Sequence, residues 1–151
     1  MSRNVAWRIA LAFALSVTGI ERAPAQSVTV DGITVHYAAL PASELDESLA
    51  RRLGIVRSDK RVLLNIAVRT GPVGQEQVVQ AQVDVRVRDA AGDLPSPRMR
   101  EVHDAGGDYH LGEVRIAGQA HLAFVVEVRV AGRTTPIRAT FDRDFFPGPG
   151  P

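Results

Sequence analysis

Apolar and polar positions alternate along much of this chain. From Val79 to Val87 the apolar residues are Val79, Ala81, Val83, Val85 and Val87, with Gln80, Gln82, Asp84 and Arg86 between them. Successive side chains of a strand point to opposite faces, so such a segment has one dry face and one wet face. Val62, Leu64, Ile66 and Val68 repeat the pattern, as do Ala120, Leu122, Phe124, Val126, Val128 and Val130. Ile137, Ala139, Phe141 and Phe145 follow it less strictly. Turn signals separate the runs. Asp31-Gly32 links 27–30 to 33–39 as a tight hairpin, and Gly71-Pro72-Val73-Gly74, Ala91-Gly92-Asp93, Asp104-Ala105-Gly106-Gly107, Ala117-Gly118 and Ala131-Gly132 mark later turns. Short half-buried strands at this spacing predict an all-β fold, an antiparallel β-sandwich.

One short helix interrupts the alternation. Leu45, Leu49 and Leu53 recur at helical spacing within Ser43–Leu53. Ser43 or Asp46 can cap its start, Arg51 and Arg52 lie late, and Gly54 can close it. Its length suits a plug over one end of the sandwich.

The first 25 residues follow neither pattern. Arg3 and Arg8 precede an apolar run, Ile9–Ile20, and Ala23-Pro24-Ala25 forms a small-residue cleavage site before Gln26. This reads as a signal peptide over 1–25, cleaved after Ala25, which predicts a periplasmic location. The run is too short for the roughly 20 residues a bilayer span needs. Residues 26–146 then form a single domain, and the Pro/Gly tail 147–151 is predicted to be disordered. Losing Arg3, Arg8, Arg22 and Glu21 turns a net charge of +1 into −1. That balance argues against a nucleic-acid partner, and the mature chain is expected to have no membrane span. With no cysteine, thiolate metal sites and thiol catalysis are excluded.

An ordered series of short segments resembles a known family. It comprises Val35-His36-Tyr37-Ala38-Ala39, Leu49-Ala50 with Leu53-Gly54-Ile55-Val56-Arg57-Ser58, Leu63-Leu64-Asn65-Ile66-Ala67-Val68, Tyr109-His110-Leu111-Gly112-Glu113 and Phe141-Asp142-Arg143-Asp144-Phe145-Phe146-Pro147. Together they are similar to the DUF4426 family, an exported domain of Gram-negative bacteria. The resemblance implies an immunoglobulin-like sandwich and carries no established activity.

The chemistry on offer is sparse. If Asp104–Gly107 is a hairpin loop, His103 pairs with Asp108 and Glu101 with His110, all four on one face. If Ala117-Gly118 is a two-residue turn, Glu127 falls opposite Asp108 on that face. Imidazole and carboxylate ligands suit Zn²⁺ and other first-row ions, which makes these five residues metal candidates. The plainer reading is a set of solvated cross-strand pairs worth about 0.2–1 kcal/mol each, and it takes precedence. His36, Arg57, Ser58 and Asn65 form a second candidate, either a small polar site under the helix or the bonds that fasten it. Asn65, read as half-buried, would need a partner there. No G-x-S-x-G, H-E-x-x-H or phosphate-loop motif is present. The residues call for no cofactor and no catalytic group. They favour a non-catalytic binding or accessory domain; they leave its partner unidentified, with a periplasmic protein as the candidate. The alternative is a small metal-dependent or acid–base enzyme using the His/Glu/Asp cluster.

Overall fold

The computed structural model describes residues 26–105 and 107–148. The predicted signal peptide lies outside the described residues, as does the tail from residue 149. Pro147 and Gly148 carry no regular structure.

Ten strands and one α-helix make up the described chain. They are β1 (Gln26–Val30), β2 (Ile33–Pro41), α1 (Glu47–Leu53), β3 (Arg61–Thr70), β4 (Gln77–Val78) and β5 (Ala81–Asp89). Then follow β6 (Gly92–Asp93), β7 (Arg100–Asp104), β8 (Gly107–Arg115), β9 (Ala120–Val130) and β10 (Ile137–Phe145). One sheet runs β1-β2-β3-β8-β7, with β4 also on β3; the other runs β10-β9-β5-β6. Every pairing is antiparallel.

The alternation decides which faces meet. Val62, Leu64, Ile66 and Val68 of β3 are buried against Val83, Val85 and Val87 of β5 and Leu122, Phe124, Val126 and Val128 of β9. Tyr37, Phe141 and Phe124 stack in series across the interior, with ring centroids 4.8 and 4.7 Å apart. Two arginines tie the sheets at their margin. Arg143 donates to the Ala39 carbonyl, and Arg133 donates to Asp31 at 2.8 Å. Asp31 and Gly32 both have positive φ, 49° and 76°, the backbone that a two-residue hairpin turn requires.

The helix starts later than Ser43 and covers a different surface. Ala42–Glu44 form a single 3₁₀ turn, and Asp46 is the N-cap, accepting from the Ser48 and Leu49 amides at 2.9 and 3.1 Å. The bond from the Ser48 hydroxyl, helped by those amides, holds the Asp46 carboxyl below its ordinary value. Gly54 closes the helix in the left-handed region, φ 68°. Instead of plugging an end, the helical segment lies on the outer face of the larger sheet. Leu63, Val102 and Leu111 turn outward there, and Ala42, Leu45, Leu53 and Ile55 pack over them as a second small core. Those three apolar side chains point away from the sandwich, so water would reach them without the helix.

The passage from β8 to β9 also departs from the sequence reading. Ala117-Gly118 is not a hairpin turn. β8 is flanked by β3 along 110–115 and by β7 along 107–111, and β9 pairs with β5 and β10 instead. The chain crosses to the other sheet, after Ile116 donates to the Lys60 carbonyl at 3.0 Å.

Replacing Asp46 with alanine removes the cap from a helix of under two turns. Asp46→Ala is expected to lower unfolding free energy by about 1 kcal/mol, read from urea denaturation. An unchanged midpoint would show that apolar packing alone places the helix.

Candidate functional site

Strands β7 and β8 set one titratable cluster. Glu101 stands opposite His110, and His103 opposite Asp108. His103 Nδ1 lies 3.0 Å from Asp108 Oδ1, and its Nε2 lies 3.7 Å from Glu101 Oε2. His110 is also opposite Ile66 of β3, whose side chain is in the main core. All four polar side chains therefore point to the inner side of the sheet. They can do so because the facing sheet ends there. β6 spans only Gly92–Asp93 and pairs with Arg88 and Asp89, and the Leu94 amide adds one bond to the Val87 carbonyl, so residues 81–86 of β5 have no described strand on that side.

An open cleft separates that edge of β5 from β7. Ala81, Gln82, Asp84, Met99, Glu101 and His110 line a part of about 310 Å³. A neighbouring part of about 470 Å³ opens toward Gln80, Arg129 and Val130. Behind it, between His103, Asp108 and His110, a void of about 10 Å³ is at the limit for a single water.

The two imidazoles of the cluster titrate in opposite directions. The hydrogen bond from His103 to Asp108, then the charge of Asp108, raises His103 above its ordinary 6.5. Burial lowers His110, against a smaller opposing pull from Glu101. The lowering favours the uncharged imidazole, the form that ligates metals.

Glu127 is not part of this cluster. It stands on the outer face of the other sheet, opposite Asp84 of β5 and Arg138 of β10. Arg138 donates to it at 2.5 Å, with Arg86 at 3.4 Å and Arg129 at 3.5 Å. The Arg138 hydrogen bond holds its carboxyl below the ordinary range. Its separation from Asp108 follows from the crossover of β9.

The second candidate group does not assemble. Arg57 donates to the Ser43 carbonyl at 2.7 Å, and the Ser58 hydroxyl accepts from the Lys60 amide at 3.1 Å. Both bonds hold the loops around the helix. His36 faces Glu76, with Nε2 3.7 Å from the carboxylate. Asn65 is exposed, opposite Ala38 and Leu111. Its amide faces water and so needs no partner within the protein.

Two participants escaped the sequence reading. Met99 reaches the cleft beside Gly112, where an added Cβ would collide with its sulfur. The glycine opposite was the available signal. His121 on β9 forms a separate outer group with two aspartates, Nδ1 2.8 Å from Asp144 and Nε2 3.7 Å from Asp142. The Asp-x-Asp spacing of β10 hints at one polar face, but the loop before β10 leaves its register unreadable. Among the described residues, no three His, Asp or Glu side chains converge closely enough to hold a metal ion.

The opposed shifts give opposite pH dependences. A raised imidazole contributes stability that is full below 6.5 and is lost as pH rises through its higher folded value. A lowered imidazole costs nothing above 6.5 and destabilises as pH falls from there toward its folded value. Proton NMR titration is expected to place the His103 midpoint above 6.5 and the His110 midpoint below it. Asp108→Asn should return His103 toward 6.5; a His103 midpoint that does not move would remove Asp108 as the cause.

Comparison with known proteins agrees with this architecture. A DUF4426 family protein from Pseudomonas aeruginosa PAO1 matches with a TM-score of 0.69 and 25% identity, over 83% of this chain and 97% of that one. FetP from uropathogenic Escherichia coli strain F11 shares the fold at 8% identity and a TM-score of 0.59, over 85% of this chain and 97% of FetP. A copper-bound variant of P19 from Campylobacter jejuni does so at 9% identity and a TM-score of 0.52, over 83% of this chain and 97% of P19. No curated protein matches the chain. The family model described as "Domain of unknown function (DUF4426)" matches residues 27–148, and the chain belongs to that family.

Proposed function

We propose that this protein is an exported, non-catalytic binding domain of the periplasm, and that it binds at the cleft between β5 and β7. The observation that carries this reading is the inward row of Glu101, His103, Asp108 and His110. Inward polar side chains are expensive when a facing sheet covers them. Here Glu101 and His110 line the open cleft, and the His103 side chain beside them is 61% exposed, so a ligand can reach the row. Export is supported by the leader-like 1–25 segment, and by the fold relative FetP having been produced in the periplasm of E. coli. No described helix is long and apolar enough to cross a membrane.

Transition-metal ions are the ligand class that suits the donors. Variants of FetP and P19 are described with copper bound. In this chain Met99, Glu101 and His110 line one cleft, a thioether, a carboxylate and an imidazole. Thioether and imidazole favour copper, while imidazole and carboxylate also accept zinc. Donor type therefore fits, whereas donor number within one chain falls short. A single chain would supply an incomplete set, with His110 as its strongest neutral donor.

NMR titration of the metal-stripped protein with Cu²⁺ or Zn²⁺ tests this. His103 and His110 signals should shift or broaden saturably, and those of His36 and His121 should not. His110→Ala should weaken binding by about tenfold. Uniform effects on all four histidines, or none at stoichiometric metal, would overturn metal binding at this rim.

A further inference from the structure

We propose that β7 pairs antiparallel with β7 of a second copy of this chain, centred on Val102, so that Glu101 of each copy meets the partner's His103. β7 is the last strand of the larger sheet, with β8 on one side and no described strand on the other. Edge strands are commonly blunted by proline. Here Pro95 and Pro97 fall before the strand, and Arg100–Asp104 contains none.

The strand is complementary to its own reverse. It reads Arg-Glu-Val-His-Asp. Turned about Val102, Arg100 lies opposite the partner's Asp104, and Glu101 opposite the partner's His103. Opposite charges across an antiparallel pair attract, while like charges repel. Every polar position of this strand meets its complement.

Backbone geometry selects the same register. Only two residues separate Asp104 from Gly107, which pair at the end of the β7–β8 hairpin. Such a closing pair exchanges both of its hydrogen bonds, and bonding then alternates along the strand. Asp104, Val102 and Arg100 therefore direct their backbone groups at β8. Glu101 and His103 direct theirs outward. Centring on Val102 sets these outward groups against each other as hydrogen-bonded pairs. A shift by one residue would oppose outward groups to groups already used by β8.

The faces also match. On the outer side a row would run Tyr109, Val102, the partner's Val102, the partner's Tyr109, all apolar bodies. In each copy the Tyr109 hydroxyl donates to Asp104 at 2.9 Å, and Arg100 donates to the Leu53 carbonyl, so both charged groups are already held along the edge. On the inner side the row becomes Asp108, His103, the partner's Glu101, the partner's His110. Two such rows, related by the two-fold axis, supply the donors that one chain lacks. The pairing rests on strand geometry and charge complementarity; its enlargement of the ligand set rests on the binding reading above.

Sedimentation velocity of the metal-stripped protein is the test. A dimer is expected at about 10–100 µM. Arg100→Asp and Asp104→Arg should each weaken dimerisation by about tenfold or more, by setting like charges opposite. The double variant carrying both changes should restore it. Amide exchange of the unmodified protein gives a second readout, since Glu101 and His103 amides should gain protection with concentration. A monomer up to about 1 mM, or a dimer indifferent to Arg100→Asp, would overturn the pairing. A metal-free dimer whose histidines ignore metal would sink the binding reading and leave the pairing; a metal-binding monomer would do the reverse.

Discussion

Two sheets in a chain without cysteine are held by apolar contact, and every other placement in this domain answers to that contact. The valine-rich faces of β3, β5 and β9 must look at each other to leave water. Connections then follow from which strand edges remain. β8 sits between β3 and β7, and β9 crosses to the other sheet, where its apolar face meets β3. The crossover keeps the dry faces of both strands inside while separating Glu127 from Asp108. The Arg143 and Arg133 bonds work at the margin, where both side chains are partly buried.

Period-two patterning made the fold legible, because it reports a local property, the side of the strand on which each residue lies. The runs over Val62–Val68, Val83–Val87 and Leu122–Val128 occupy the core, and the polar residues between them largely face outward. Asp31-Gly32 was equally readable, since two residues of positive φ leave few alternatives. Sheet membership is different. Ala117-Gly118 resembles a hairpin turn in composition, yet whether a connection stays in one sheet depends on whether the neighbouring edge is taken. That information lies in β3 and β7, far away in sequence.

The candidate sites divide along the same line. Pairing of Glu101 with His110 is legible because a short hairpin fixes register locally. The face of the sheet they occupy is not, since the strand reads as polar on that side and would ordinarily be assigned to solvent. Asn65 shows the converse. Its apolar neighbours in β3 suggest burial, but the covering helix reaches Leu63, Val102 and Leu111 and stops short of it. Met99 stands in no periodic run at all, and only the bare backbone of Gly112 marks where it goes.

An inward row of acids and imidazoles is a structural cost unless something offsets the loss of water. A sandwich with equal sheets would have apolar residues at 101, 103, 108 and 110, as it does at Val62, Leu64 and Val114 of the adjoining strands. Here the smaller sheet has a two-residue β6 where another full strand would close the cleft. The truncation and the polar row are matched features: either alone would expose apolar surface or bury charge. Their coincidence on the side where β7 has no described strand beyond it brings the acids and imidazoles, the cleft and an open strand edge together on one face.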